Sequence, residues 1–165
     1  MTNMVGHRSE HAARPVQAWT RVFPARPEQV GWARKFLAAT VGGCPVADDA
    51  VLCLSELASN SILHSASSRP GGAFTVQVEV RHGEYVRIEV RDEGGSWHER
   101  PGTDGRAHGL AIVRALAAES GTDGDAASGW IAWARFDWPG ADNLDGELTR
   151  PSGACVKASG QRGGR

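Results

Sequence analysis

The chain has 165 residues, a net charge of -1, 41% hydrophobic and 22% charged residues, which allows one domain of ordinary size with a real core. A charge so near zero gives no global argument for a nucleic-acid or anionic-membrane partner. Positive charge is almost all arginine, with Lys35 and Lys157 the only lysines.

Residues 1–17 are polar and aperiodic, and read as a flexible arm without the apolar core of a signal peptide. Trp19 to Phe23 is a short strand candidate. The stretch ARPEQVGWARKFLAATV then places Val30, Ala33, Leu37 and Val41 on one helical face, closed by Gly42-Gly43. Pro45 and Asp48-Asp49 suit the first turn of a second helix reaching about His64, with Val51, Leu54, Leu57, Ala58 and Ile62 as its apolar side. HSASSRPGG ends it as a loop.

Two strands follow. FTVQVEV alternates with Val76, Val78 and Val80 on one face, and YVRIEVRD with Val86, Ile88 and Val90; His82-Gly83 between them suits a tight hairpin turn. The glycine-bearing loop EGGSWHERPGTDGRAH leads to a third helix, expected from Gly109 to about Glu119. GWIAWARFDW reads as a last strand with Trp130, Ala132, Ala134, Phe136 and Trp138 on one face. Residues 140–165 turn to Gly, Asp, Ser, Pro and Arg and read as a disordered tail, leaving 18–139 as the folded domain. Helices followed by grouped antiparallel strands indicate an α+β, two-layer sandwich with helices on one sheet face. No apolar run approaches the ~20 residues of a membrane span. Cys44, Cys53 and Cys155 have no metal-ligand or framework spacing and read as free thiols of a cytoplasmic protein.

Three features carry chemistry. Glu56, Asn60 and His64, four apart, form a polar stripe on a helix otherwise fit for burial; the bland alternative is a solvated face. Asp92 continues the core-facing parity of Val86, Ile88 and Val90. A carboxylate there is either a buried acceptor for a ligand donor such as an exocyclic amine, or simply the start of a turn with Gly94-Gly95. Gly94, Gly95, Gly102, Gly105 and Gly109 permit close backbone approach, and a helix opening at Gly109 suits an anion. The histidines His64, His82, His98 and His108 lie on separate elements without zinc-ligand spacing, and Ser55, Ser59 and Ser61 have no nucleophile elbow.

In order, the helix ELASNSILH, a hairpin ending DEGG and a loop into HGLAIV resemble the GHKL ATP-binding superfamily. The opening ARPEQV and the compact chain resemble its anti-sigma-factor serine/threonine kinase branch, over about Trp19 to Pro139. The resemblance implies a Bergerat-type fold binding ATP with Mg²⁺. It implies Glu56 as general base, Asn60 as Mg²⁺ ligand and Asp92 as acceptor for the adenine amino group. Gly94, beside Gly95, would let the base lie against backbone. Gly109, with Leu110, would open a helix near the phosphates, and His64 counts among the nucleotide-site residues. It further implies a homodimer that phosphorylates a STAS-type anti-anti-sigma partner and sequesters a sigma factor. The chain departs from the pattern at Ser96 and Ala107, and its phosphate loop lacks lysine, so phosphate charge would fall to Arg106, Arg100 or His108. These departures leave open a non-catalytic, nucleotide-dependent protein-binding module. Trp97, in the same loop, is a candidate to cover a bound nucleotide or partner.

Overall fold

A computed structural model describes residues 14–95 and 105–138, with backbone alone for 105–108. Apart from residues 14–17, the expected arm and tail lie outside this range, as do Ser96, Trp97, His98, Arg100, Gly102 and Cys155.

Strand β1 (Gln17–Pro24) begins two residues before its expected start. Helix α1 (Pro27–Thr40) opens on proline at its first turn, where a missing N–H is harmless, with Glu28 against the helix dipole. Helix α2 (Ala47–His64) carries Asp48 and Asp49 in its first turn for the same reason. The expected loop after α2 contains a short 3₁₀ turn, Ala66–Ser68, held by the Ser65 hydroxyl accepting from the Ser67 N–H at 3.0 Å.

Strands β2 (Ala73–Arg81) and β3 (Tyr85–Arg91) pair as an antiparallel hairpin. Their connection is three residues, one more than a two-residue turn, with Gly83 at φ 78° supplying the left-handed position. Helix α3 spans Gly105–Leu116, and β4 (Glu119–Asp125) follows where the third helix was expected to end. Strand β5 is Gly129–Asp137. The sheet is antiparallel throughout, in the order β1-β2-β3-β5-β4.

Val76, Val78 and Val80 of β2, Val86, Ile88 and Val90 of β3, and Ala134 and Phe136 of β5 all point to the helix layer. There they meet Ala33, Leu37 and Val41 from α1, and Ala50, Cys53, Leu54, Leu57, Ala58 and Ile62 from α2. Two apolar faces of matching period, one of 2 and one of 3.6, thus bury each other. Among the described residues the opposite face of the sheet carries no helix. Its arginines lie over aromatic rings, Arg87 on Trp133 and Arg135 on Tyr85, each at 4.8 Å, and pair with Glu89 and Asp137. Among the described residues no helix is long and apolar enough to cross a membrane.

Candidate functional site

Helix α2 lies across β3 and β5, and between them is a cavity of about 270 Å³. Its walls are Leu57, Asn60 and Ser61 of α2, Val90 and Asp92 at the end of β3, Thr122 of β4, and Trp130 and Ala132 of β5. An apolar pocket with a few convergent polar groups is the usual form of a small-molecule site.

Asp92 follows the last residue of β3, half-buried, with its side chain on the cavity wall as strand parity requires. It also organises the turn beyond it. One oxygen, Oδ1, accepts from the Gly94 N–H at 2.8 Å and the Trp130 N–H at 3.0 Å. The Asp92 N–H in turn donates to the Trp130 carbonyl at 2.9 Å, so side chain and backbone together extend the β3–β5 seam. The turn-forming and cavity-facing readings of Asp92 therefore hold together: Oδ1 accepts two backbone N–H groups of the fold, while the carboxylate, which the Ser65 hydroxyl also approaches, stands on the cavity wall. Burial pushes the carboxyl above the ordinary aspartate range, against the opposing pull of the Gly94 and Trp130 N–H groups and the nearby Ser65 hydroxyl.

Gly94 sits at φ 73°, and a side chain there would come within 2.6 Å of the Ala126 carbonyl. The turn thus needs glycine for conformation and for space. Its carbonyl accepts from Ala66 N–H at 2.6 Å, and the Gly95 N–H donates to the Ala126 carbonyl at 2.8 Å. These bonds pin the DEGG turn between the loop after α2 and the β4–β5 connection.

Asn60 and Ser61 present polar atoms that are buried and without a hydrogen-bond partner among the described residues: the Asn60 amide nitrogen and the Ser61 hydroxyl. Because such groups are normally satisfied, two of them on one cavity wall mark a surface made for a polar ligand.

One turn earlier on α2, half-buried Glu56 meets α3. A methyl group on Gly109 would lie 2.5 Å from Glu56 Oε2, so the bare Cα of Gly109 is what leaves room for the carboxylate. Gly109 is not the opening residue of its helix, as expected from sequence, but the fifth residue of α3, which starts at Gly105. The side chains of Arg106 and His108 lie outside the described residues. Leu110 lines a smaller hollow of about 90 Å³ that shares Leu57, Thr122 and Ala132 with the main cavity. Half-buried His64 ends α2 and is not on the cavity wall.

The structure therefore brings Asn60 and Asp92 together on one cavity, places Gly94 and Gly95 in the turn beyond it, and sets Glu56 against Gly109 one helical turn away. Sequence reasoning missed Ser61, Thr122 and Trp130 as cavity residues. For Ser61 a signal existed: a serine adjoining Asn60 on the half of α2 that otherwise supplies core.

Residues 23–128 match the family model for the histidine kinase-like ATPase domain, and the chain belongs to that family. The fold is similar to the solved structure of the RsbU and RsbW domains of Rv1364c from Mycobacterium tuberculosis. That likeness has 20% identity and a TM-score of 0.59, covering 75% of this chain and 34% of that one, so this chain spans about a third of its length. A histidine kinase domain from the blue-light activated histidine kinase of Erythrobacter litoralis EL346 matches at 22% identity and a TM-score of 0.44, covering 70% of this chain and 62% of that one. No curated protein matches.

Proposed function

We propose that this domain binds Mg-ATP and transfers the terminal phosphoryl group to a serine or threonine of a partner protein. The observation that carries the nucleotide reading is the cavity wall itself, an apolar pocket with the half-buried Asp92 carboxylate on it as an acceptor for a ligand donor. At about 270 Å³ the cavity lies just under the ~300 Å³ at which sites for whole small ligands begin, which suits a base whose remainder extends outward.

The orphaned N–H₂ of Asn60 suits a phosphate oxygen, and the carbonyl oxygen of the same amide would be the group to hold Mg²⁺. Bound there, Mg²⁺ would neutralise charge on the phosphates. Glu56 would accept the proton of the incoming hydroxyl as its oxygen forms the new bond to phosphorus and the bond to the ADP oxygen breaks. Gly109 keeps the space in which the Glu56 carboxylate stands. Arg106, Arg100 or His108 would supply positive charge in place of a lysine.

The sequence resemblance extends this reading to a partner set: a STAS-type anti-anti-sigma protein as phosphoacceptor, a sigma factor as the sequestered protein, and a homodimer as the acting form, in the cytoplasm. The rival, a protein-binding module that uses nucleotide without chemistry, rests on Ala107 and the lysine-free loop. Calorimetry with ATP and ADP, with and without Mg²⁺, followed by transfer of labelled phosphate to candidate STAS proteins, separates the two. Mg²⁺-dependent ATP binding with transfer is expected; binding without transfer to any candidate favours the module, and no binding removes both.

A further inference from the structure

Serine and threonine hydroxyls in helices commonly donate to the carbonyl one turn back. Three hydroxyls of this protein do so: Thr40 to Phe36 at 2.8 Å, Ser55 to Val51 at 2.9 Å, and Ser65 at the end of α2 to Ser61 at 2.7 Å. Ser61 does not. Its residue is only 6% exposed, it lines the cavity that Asp92 also lines, and its hydroxyl has no partner among the described residues.

An unpaired buried hydroxyl destabilises the protein that carries it. Alanine would fill the same space on α2 without that penalty. A hydroxyl at this position makes physical sense when something that enters the cavity satisfies it. Across the cavity, Asp92 has one oxygen saturated by the Gly94 and Trp130 N–H groups and can only accept with the other when ionised. The cavity therefore offers an acceptor, Asp92, and a potential donor, Ser61. A 6-aminopurine presents the matching pair: an exocyclic amine that donates, flanked by ring nitrogens N1 and N7 that accept. A 6-oxopurine has an acceptor in place of the amine and, at N1, a donor.

We propose that Ser61 is a specificity-determining residue of the nucleotide site, its hydroxyl donating to a ring nitrogen flanking the amine that Asp92 accepts. Ionised Asp92, which can only accept, selects the amine, and Ser61 adds a bond to the neighbouring ring nitrogen. The inference rests on the nucleotide-binding reading above and adds to it a residue and a contact.

The test is calorimetric titration of the full chain and of Ser61→Ala with ATP, 1-deaza-ATP and 7-deaza-ATP, together with thermal unfolding of both proteins without nucleotide. Ser61→Ala should bind ATP about 2–13-fold more weakly, the range expected for one lost hydrogen bond. One of the two deaza analogues should show the same loss on the wild type and no further loss on the variant, identifying the nitrogen. The empty variant should unfold at the same or a higher temperature. ATP affinity unchanged in Ser61→Ala overturns the proposal while leaving the nucleotide reading intact. So does a wild type that binds both deaza analogues as tightly as ATP, or a variant whose weaker binding comes with a lower unfolding temperature. A wild type that binds no ATP overturns the nucleotide reading and this inference with it.

Discussion

The Asp92 end of the candidate site and the Glu56 end are held by different means, although one helix borders both. At the first, Asp92 is tied by backbone N–H groups from Gly94 and Trp130, and the DEGG turn by further bonds to Ala66 and Ala126. At the other end, the Glu56 carboxylate stands in space that a side chain on Gly109 would enter. Hydrogen bonds define one region and an empty volume defines the other. The first should tolerate shape changes that keep its acceptors; in the second, a single methyl group should turn the flexible end of Glu56 aside, at small cost to stability and with its charge intact.

The largest effect is expected from Glu56→Ala, which should leave ATP affinity within about twofold and reduce phosphotransfer by roughly 10²–10⁴, the usual contribution of a general base. Transfer to a cognate partner at wild-type rate would remove Glu56 from the chemistry. Gly109→Ala sharpens the comparison, since its Cβ must displace the carboxylate. A shift of about 1 Å can lower transfer on the order of 10²-fold, with ATP binding nearly unchanged and helical circular dichroism preserved. Equal losses of binding and transfer would instead place Gly109 against the nucleotide.

Asp92→Asn probes the Asp92 end. The variant keeps the Oδ1 acceptor that Gly94 and Trp130 use but replaces the other oxygen by a donor. ATP binding should weaken by about 1–3 kcal/mol, and the preference of the wild type for ATP over GTP should vanish. Equal affinity of the wild type for both nucleotides would contradict the assignment.

The smallest effect concerns pH. Burial raises the Asp92 carboxyl, so in the folded protein it takes up a proton at a pH where an exposed aspartate is still charged. Protonation would remove the acceptor proposed for the adenine amine, so ATP affinity should fall as pH drops toward that raised value, and Asp92→Asn should flatten the dependence. The same shift acts on stability in the opposite sense. Its contribution is greatest where Asp92 is protonated, and is lost as pH rises from the ordinary aspartate value through the raised one. Titrations of wild type and Asp92→Asn side by side isolate this carboxyl from the nucleotide's own groups.

Much of the layer arrangement was legible because the core strands and α2 have clean periods. Val76, Val78, Val80, Val86, Ile88 and Val90 all lie where alternation puts them. Strand β4 escaped because ESGTDGD has neither alternation nor β-branched content beyond Thr122; it is an edge strand, mostly exposed, and its pairing to β5 shapes it more than its own composition. The start of α3 was hidden by Gly105 and polar neighbours, which by propensity belong to loop. In the site, Asp92 was legible through strand parity, and Asn60 through its place in the stripe. Thr122 was not, because its contribution depends on β4 lying beside β5. Trp130 was assigned to a sheet face, and nothing local revealed that this end of the face lines a cavity beside α2.

The tie between Asp92 and Trp130 also bears on the order in which the molecule is assembled. The two residues are 38 apart in the chain, with the glycine loop, α3 and β4 between them. The β2–β3 hairpin closes over three residues, whereas joining β3 to β5 must first overcome the entropy of a long closure. The ligand cavity is therefore expected to mature late in folding, after the hairpin beneath it. In a pulse-labelling hydrogen-exchange experiment, amides of Val78 and Val86 should gain protection before that of Trp130; simultaneous protection would mean that hairpin and cavity condense in one step.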